Sequence, residues 1–219
     1  MDVSLIVMTY NRSKLLERCL ASLCAQHFPL ERYEVLVIDD GSTDDTEQVI
    51  AKLKDSGFPL RYIKQLHGGV SEARNAGIKN ARGEIVALLA DDYELPPDYA
   101  ETIVAFFEKN PLVQALCCRI VVDTKHTFLS RAIFHYYNSS FRNLLSFAQG
   151  KKIRNYREMI AYRFSKVKCE EKQGIYFGLC ASRAAAFRRG LFDDLGFFDE
   201  QLKSGEDTDM GMRMSKNIL

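Results

Sequence analysis

The chain has 219 residues, with 30 basic and 29 acidic side chains and a formal net charge of +1. Its length allows one large domain or two small ones, and a composition of 47% hydrophobic and 27% charged residues excludes a disordered chain. The near-neutral charge gives no reason to expect a nucleic-acid-binding protein, and no apolar run is long enough to cross a bilayer. The start shows no basic-then-apolar leader, and the six cysteines form no CxxC pair, which indicates reduced core cysteines. These features predict a cytosolic globular protein and leave its chemistry open.

Strand and helix patterns alternate along the first half of the chain. Short β-branched and apolar runs predict buried strands over residues 3–8, 33–38, 60–63 and 85–89. Capping residues and apolar stripes predict helices after these strands, beginning near Ser13, Asp44, Ser71 and Pro97. Repeats of this kind predict a mostly parallel sheet with helices on both faces. The second half is less regular, with strands predicted over 113–122 and 176–181 and helices over 128–167 and 206–216.

Adjacent carboxylates follow the fourth predicted strand. Ligands of open α/β sheets bind at the carboxyl ends of the strands, so Asp91 and Asp92 are candidates for a binding site. Two neighbouring charges at the end of a buried strand are costly unless a cation or a proton relieves them, and Mg²⁺ or Mn²⁺ prefers oxygen ligands. A turn that caps the next helix would use the same residues. The pair alone does not choose between these two interpretations.

Three further motifs are ambiguous in the same way. Asp39 and Asp40 follow the second predicted strand, where an acidic pair suits a tight turn or a contact with a base or ribose. The SEARNAG motif places Arg74 and Asn75 near a helix start, which suits an anion or a solvated surface. Carboxylates within 204–209 suit the dipole of a helix or the role of a general base. Neither a GxGxxG after the first strand nor a P-loop motif occurs, which disfavours nicotinamide dehydrogenases and P-loop NTPases.

Five sequence blocks occur in order along the chain: SLIVMTYNR, VLVIDDGSTDDT, GGVSEARNAGIKNARGEIVALLADD, PPDY and LGFFDEQLKSGEDTDMGMR. Each block is modest alone, but their order and spacing together resemble the family 2 glycosyltransferases. The resemblance covers nearly the whole chain and is thin between residues 123 and 175. It implies an α/β fold of the GT-A type, with a Rossmann-like, mostly parallel central sheet and flanking helices, to which the composition of residues 124–168 adds a basic helical insertion.

The resemblance also assigns roles to individual residues. It makes Asp207, in SGEDTD, the catalytic base and Asp92 the ligand of a Mg²⁺ or Mn²⁺ ion. Because the family's metal motif is usually DxD or DDD, the shorter Ala90-Asp91-Asp92 leaves the division of duties between the two carboxylates open. The residues expected to bind the nucleotide-sugar are Thr9, Tyr10, Asn11, Asp40, Arg74, Asn75 and Asp91. Tyr10 and Asp40 are expected near the base, Arg74 near the pyrophosphate or ribose, and Asp39 in support of its turn.

The implied reaction transfers a sugar, with inversion, from a nucleoside diphosphate sugar to a hydroxyl of a glycan or a lipid-linked acceptor. Such a reaction belongs to the synthesis of cell-envelope polysaccharide. An alternative of another class is a non-catalytic nucleotide-sugar or glycan-binding module with an incomplete site. A nucleotidyltransferase is a further alternative, although the loop after the first strand lacks the glycines that such enzymes carry there.

Residues 124–168 are strongly basic, since they contain ten Lys or Arg residues and one Glu. Aromatic residues are interleaved with these charges, a pattern that suits either an anionic membrane surface or a helical subdomain with a solvated basic face. The expected organisation is therefore one GT-A domain over 1–219, with a nucleotide-sugar-binding half (1–122) and an acceptor-side half (123–219). We expect a cytoplasmic protein, with peripheral attachment to the inner face of the cell membrane if the segment binds lipid. Family members commonly continue beyond the helix that carries Asp207, so the sequence is compatible with either a fragment or a minimal form of a longer enzyme.

Overall fold

Strands and helices alternate from Val3 to Lys109, as the hydrophobic pattern requires. The structure is a computed structural model and describes residues 1–54, 56–117 and 185–217. The strands are β1 (Val3–Thr9), β2 (Tyr33–Asp39), β3 (Leu60–Lys64), β4 (Ile85–Ala90), β5 (Ala115–Cys117) and β6 (Ala185–Arg188). The helices are α1 (Ser13–Cys24), α2 (Thr46–Lys54), α3 (Val70–Asn80), α4 (Tyr99–Lys109), α5 (Leu191–Leu195) and α6 (Glu206–Asn217).

The described strands form one mixed sheet in the order β3-β2-β1-β4-β6-β5. β1 pairs in parallel with β2 and β4, and β2 pairs in parallel with β3, whereas β6 is antiparallel to both β4 and β5. Thr9 at the end of β1 lies opposite Asp39 at the end of β2, and Met8 lies opposite Ala90 at the end of β4. The three central strands therefore end together, and the residues that follow them share one edge of the sheet.

Helices cover both faces of the sheet because successive strand residues point in opposite directions. Leu5 and Val7 pack in the core formed with α1, α2 and α4, whereas Ile6 packs in the core formed with α3, α5 and α6. These three side chains are fully buried, and each such burial stabilises the fold by about 1.5–3 kcal/mol. Gly77 lets α3 approach closely, since a Cβ there would lie 2.4 Å from Cγ2 of Ile6.

The predicted mostly parallel sheet with flanking helices is confirmed, and each of the first four strands extends one residue beyond its predicted end. Helix α2 begins at Thr46 rather than near Asp44, because the Asp44 carboxylate accepts the backbone N–H of Thr46 at 3.1 Å and caps the helix from outside. Helices α3 and α4 begin one residue before and two residues after their predicted starts. Strand β6 and helix α5 were not predicted.

Several predictions concern residues outside the described part of the chain. They are the strand at 176–181, the helices over 128–167 and the basic segment 124–168. Of the strand predicted over 113–122, the structure assigns Ala115–Cys117, as β5. Among the described residues, no helix has both the length and the apolarity that a membrane span requires.

The cysteines are predicted to lie in the core, and the structure confirms this for one of the two cysteines of α1. Cys19 lies in the buried stripe of α1 with Leu16, Leu20 and Leu23. Cys24 is exposed, so its predicted core position is wrong. It follows Leu23 by one residue, and one step along a helix turns the side chain about 100° away from the buried stripe.

Candidate functional site at the carboxyl edge of the sheet

A hydrogen bond between the ends of β1 and β4 forms the floor of the site. The Oγ1 atom of Thr9 donates to Oδ2 of Asp91 at 2.8 Å, and both residues are buried. The contact follows from the parallel register, which brings the ends of β1 and β4 side by side. Asp91 is 1% exposed, so its charge is screened little by solvent.

One arginine faces both carboxylates that follow β4. The Nη1 atom of Arg12 lies 2.9 Å from Oδ1 of Asp91, and its Nη2 donates to Oδ2 of Asp92 at 2.9 Å. Burial raises the pKa of Asp91, and the neighbouring charge of Asp92 adds to the rise, while Thr9 and Arg12 oppose it. Among the residues that the structure describes, a single positive charge thus compensates two negative ones at this corner of the site, which leaves a net negative charge there.

The donor chemistry of this corner fits a hard divalent cation. Asp91 and Asp92 present carboxylate oxygens, and the Asp92 side chain is 44% exposed, so a hydrated ion can reach it. No group of three or more His, Cys, Asp or Glu side chains suited to a metal occurs among the described residues. Burial and the charges of Asp91 and Asp92 raise the pKa of the nearby Cys19 thiol to about 12. An ion here would take one or two protein carboxylates and complete its shell with water and phosphate.

The turn after β1 is tied to the turn after β2. Asn11 has a positive φ of 52°, and its backbone N–H donates to Oγ of Ser42 at 2.8 Å. Its side-chain oxygen accepts the backbone N–H of Thr43, also at 2.8 Å. Asp39 supports the same turn by accepting the backbone N–H of Ser42 at 2.8 Å and the hydroxyl of Tyr62 at 2.6 Å. Asn11 therefore shapes this wall of the site, and Asp39 holds the turn as predicted.

Asp40 organises the loop between β3 and α3. Its Oδ1 accepts the Gln65 side-chain amide at 2.7 Å and the N–H of Gly68 at 3.0 Å, and its Oδ2 accepts the N–H of Gly69 at 2.9 Å. The Nδ1 atom of His67 lies 2.8 Å from Oδ2 of Asp40. All four of these groups belong to the loop between β3 and α3. A nucleobase that donates a hydrogen bond to Asp40 would therefore have to replace one of the two side chains, Gln65 or His67.

An exposed aromatic pair lies above Asp40. The rings of Tyr10 and His67 are stacked, with centroids 4.0 Å apart and planes inclined by 15°. Tyr10 is 42% exposed, so its ring is accessible from solvent. Gly41 permits the close approach of the His67 loop, because it has φ of +86° and a Cβ there would lie 2.9 Å from the His67 backbone nitrogen.

Arg74 and Asn75 are buried, and their described contacts are with residues 198–206. Nη1 of Arg74 donates to Oε1 of Glu206 at 2.6 Å. Asn75 donates to the Phe198 carbonyl and to Oε1 of Glu200, both at 2.8 Å, and accepts the Phe198 N–H at 2.9 Å. These residues join α3 to the loop that leads into α6.

Asp207 lies in the first turn of α6, next to the buried Glu206. Its Oδ1 accepts the backbone N–H of Thr208 at 2.7 Å, and the side chain remains partly exposed. A carboxylate suits this position because the N-terminus of a helix carries partial positive charge. Within the described part of the chain, the Asp207 side chain is therefore partly accessible, while the Glu206 side chain is buried.

The structure therefore adds Arg12 and Gln65, which sequence reasoning missed, and it shows the partners of His67 and Glu206, which the sequence does not. Arg12 is the last residue of the SLIVMTYNR block, and the sequence alone assigns it no role. Its partnership with carboxylates 79 and 80 residues away was visible only in the strand register that the fold provides. Glu206 was noted as a helix-start carboxylate, and no sequence signal distinguished it from an exposed one.

The comparison with known families shows the family to which the chain belongs. The model of glycosyl transferase family 2 matches residues 4–196. The chain belongs to glycosyl transferase family 2. The prediction made from the five sequence blocks is confirmed at the level of the family.

Relatives of known name are much longer than this family 2 chain. The hyaluronan synthase of Pasteurella multocida is 28% identical over 222 residues, which cover 97% of this chain and 22% of that protein. The validoxylamine A glucosyltransferase of Streptomyces hygroscopicus subsp. jinggangensis is 37% identical over 105 residues, or 47% of this chain and 25% of that protein. The chain thus spans about a quarter or less of the length of these two relatives.

Solved structures confirm the GT-A fold predicted for this family 2 chain. Staphylococcus aureus TarS 1–349 in complex with UDP-GlcNAc superposes with a TM-score of 0.70 at 24% identity, covering 99% of this chain and 54% of that one. The mannosyltransferase PcManGT from Pyrobaculum calidifontis, in complex with GDP-Man and Mn²⁺, gives a TM-score of 0.66 at 23% identity, covering 98% and 51%. At these identities the likeness shows the fold.

Proposed function

We propose that this chain transfers a sugar, with inversion, from a nucleoside diphosphate sugar to an acceptor hydroxyl. The observation that carries the proposal is the carboxyl edge of the sheet, where buried Asp91, accessible Asp92 and the Tyr10–His67 stack follow neighbouring strands. Such an edge is where open α/β sheets bind nucleotides. Support also comes from the family match and from GT-A neighbours that bind UDP-GlcNAc or GDP-Man.

The donor's nucleoside would be bound at the aromatic end of the edge. Tyr10 offers an exposed ring face, and Asp40 offers carboxylate oxygens at the base of the same wall. The ribose and the sugar would lie toward Thr9 and Asp91, with the Asn11 turn as the adjoining wall. Arg74 and Asn75 belong to the proposed site through the α3 wall that they support, since their described contacts are internal.

Asp92 would hold a divalent ion, Mg²⁺ or Mn²⁺, with Asp91 beside it. When bound, such an ion supplies Lewis-acid stabilisation of the charge that develops on the leaving diphosphate. The unmatched negative charge at this corner supports the assignment, and a GT-A neighbour with bound Mn²⁺ is consistent with it. Asp92, the more accessible of the two carboxylates, is the better placed for direct contact with an ion.

Asp207 would act as the general base. The acceptor oxygen forms a bond to the anomeric carbon as the bond from that carbon to the diphosphate oxygen breaks, and the hydroxyl proton moves to the Asp207 carboxylate. A single displacement of this kind inverts the anomeric configuration. Asp207 suits the role because it is partly exposed, and its described contact, the Thr208 N–H, leaves carboxylate lone pairs for the acceptor.

The acceptor in this proposal is a glycan or a lipid-linked sugar. The basic segment 124–168, which lies outside the described residues, stays a predicted surface for anionic membranes. Flotation of the chain with phosphatidylglycerol vesicles should exceed flotation with neutral phosphatidylcholine vesicles. Equal flotation with both would remove the membrane part of the proposal and leave the donor site intact.

Asp207→Asn tests the proposed reaction. We expect the release of nucleoside diphosphate from a panel of UDP- and GDP-sugars to fall by about 10²–10⁴-fold, because the variant keeps its shape and loses its base. Calorimetry should show unchanged nucleotide affinity in the same variant. Asp194→Asn is the matched control, since it removes an exposed carboxylate of α5 and should keep most of the activity.

Two outcomes would contradict the proposal in different ways. Normal turnover by Asp207→Asn would remove the base assignment. Nucleotide-sugar binding without any turnover by the wild-type chain would favour the alternative, a non-catalytic binding module.

A further inference from the structure

A buried ion pair joins α3 to the start of α6. Nη1 of Arg74 lies 2.6 Å from Oε1 of Glu206, and the two side chains are 8% and 11% exposed. The residues are 132 positions apart in sequence, so the pair is a tertiary contact between separate elements. A charged hydrogen bond with this little exposure is short and directional, and it holds its two backbones in one relative position.

The neighbouring residue of α3 reinforces the contact. Asn75 holds the backbone of Phe198 from both sides, through the N–H and the carbonyl, and also donates to Glu200. The guanidinium of Arg74 further lies over the Phe198 ring, 5.2 Å from its centroid. Two adjacent residues of α3 thus hold both ends of the loop from 198 to 206.

A side chain of α6, Arg213, holds the residues that immediately precede this loop. Nη1 and Nη2 of Arg213 donate to the carbonyls of Leu195 and Phe197 at 2.7 and 2.9 Å, and the same guanidinium contacts Asp209. Asn75 and Arg74 of α3 therefore fix the loop at its beginning and at its end, and Arg213 of α6 fixes the residues just before it. Its last residue, Glu206, immediately precedes Asp207.

We propose that Arg74 and Glu206 form a positioning pair that sets the place of Asp207, and that Arg74 does not bind the donor's diphosphate. The inference rests on the proposed role of Asp207 and names the residues that orient it. Arg74 is 6% exposed and its charge is compensated by Glu206, so it is poorly suited to attract a second anion. A carboxylate that must meet an acceptor hydroxyl needs a fixed backbone, because a displacement of about 1 Å can cost on the order of 10²-fold in rate.

A double-mutant cycle tests the pair. Arg74→Met and Glu206→Gln should each lower the rate of nucleoside diphosphate release from UDP- and GDP-sugars by about 30-fold or more, and the double variant should be no slower than the slower single one. The dissociation constants of UDP and GDP, measured with Mn²⁺ by calorimetry, should stay within about two-fold of the wild type. Arg74→Lys, which keeps the charge, should recover part of the lost rate.

Glu34→Gln is the matched control for lost stability. It breaks a comparable buried contact, in which Nη1 of Arg61 lies 2.7 Å from the Glu34 carboxylate, at the opposite edge of the sheet. It should lower the melting temperature to a similar extent without a comparable loss of rate. A rate loss in Glu34→Gln as large as in Glu206→Gln would assign the effect to stability and overturn the proposal.

Hydrogen–deuterium exchange gives a readout that needs no substrate. The peptide covering 198–210 should exchange about ten-fold faster or more in Arg74→Met and in Glu206→Gln, and should be unchanged in Glu34→Gln. Unchanged exchange in the first two variants would overturn the pair, whatever the activity of the chain. A ten-fold loss of UDP or GDP affinity in Arg74→Met would instead return Arg74 to the diphosphate. A wild-type chain that releases no nucleoside diphosphate would refute the proposed function while the exchange result still decides the pairing.

Discussion

Two buried carboxylates, Glu34 and Asp91, differ in how far their charges are compensated. Glu34 lies where the parallel strands begin, which we call the amino edge of the sheet, and Asp91 lies at the carboxyl edge, where the strands end. Glu34, at the amino edge, is 2% exposed and accepts hydrogen bonds from Ser4 at 2.6 Å, from Arg61 at 2.7 Å and from the backbone N–H of Arg82 at 2.7 Å. Burial alone would raise its pKa, but these donors outweigh burial and the pKa is lowered. The charge of Glu34 is fully matched by the protein.

Asp91, at the carboxyl edge, is buried to the same degree and less well compensated. It accepts from Thr9 and shares the guanidinium of Arg12 with a second carboxylate, Asp92. Burial and the adjacent charge dominate, so the pKa of Asp91 is raised. We interpret Glu34, whose charge the described residues compensate, as a structural carboxylate. The weaker compensation of Asp91 by the described residues supports the proposal of a cation at the carboxyl edge.

The largest expected effect is a loss of stability caused by a substitution at the amino edge of the sheet. Glu34→Gln leaves Arg61 without its carboxylate partner and should lower the free energy of unfolding by about 3 kcal/mol, or roughly 6–12 °C in melting temperature. Because the folded pKa of Glu34 is lowered, its stabilising contribution is present above its unfolded pKa and is lost as the pH falls through the folded value. Thermal melts at several pH values should show the gap between wild type and variant narrowing in acid. A constant gap would mean that charge pairing is not what stabilises this edge.

The second-largest effect concerns Arg12, whose guanidinium already supplies a positive charge at the carboxyl edge. Arg12→Gln removes the positive charge shared by Asp91 and Asp92, so the affinity for Mn²⁺ without nucleotide should rise by about ten-fold, or ~1.4 kcal/mol. Arg18→Gln is the matched control, since Arg18 pairs with Glu94 nearby and leaves the two aspartates untouched. Calorimetric titration with MnCl₂ measures both variants. Unchanged or weaker binding in Arg12→Gln would show that the guanidinium does not compete with the ion.

The smallest effect should be an increase in stability. Asp91→Asn removes a buried, under-compensated charge while an amide oxygen can still accept from Thr9, so the melting temperature at neutral pH should rise by on the order of 2 °C. The raised pKa of Asp91 means that its protonated form favours the folded state, and this contribution is lost as the pH rises through the folded value. The advantage of the variant should therefore shrink as the pH falls from neutral toward acid. A lower melting temperature at neutral pH would place Asp91 with the structural carboxylates.

The fold of the first half could be predicted because its strands are nearly continuous apolar runs. All seven residues of β2 are buried, and such a run ends clearly at the polar Asp40-Gly41 turn. Strand β6 has only four residues, and the five-residue α5 follows it after a two-residue turn, so neither carries enough periodicity to be recognised. Their positions depend on tertiary pairing with β4 and on packing beneath α6.

The site could be predicted only as a set of motifs. Parallel strands bring the residues after β1, β2 and β4 together, so the grouping of Thr9, Asp40 and Asp91 follows from strand order. The hydrogen-bond partners of these residues could not be predicted, because a sequence motif does not show whether Arg74 contacts a ligand or a buried carboxylate. That choice depends on where α6 packs, through Met210 and Met214, on the face of the sheet that α3 covers.

The central claim is that the under-compensated carboxyl edge binds a nucleotide through a divalent ion. Calorimetric titration of UDP and of GDP, with and without Mn²⁺, into the wild-type chain and into Asp92→Asn tests it directly. We expect one of the two nucleotides to bind the wild type at least about ten-fold more tightly with Mn²⁺, and this gain to disappear in Asp92→Asn. Equal affinity with and without the ion, or an undiminished gain in Asp92→Asn, would contradict the claim.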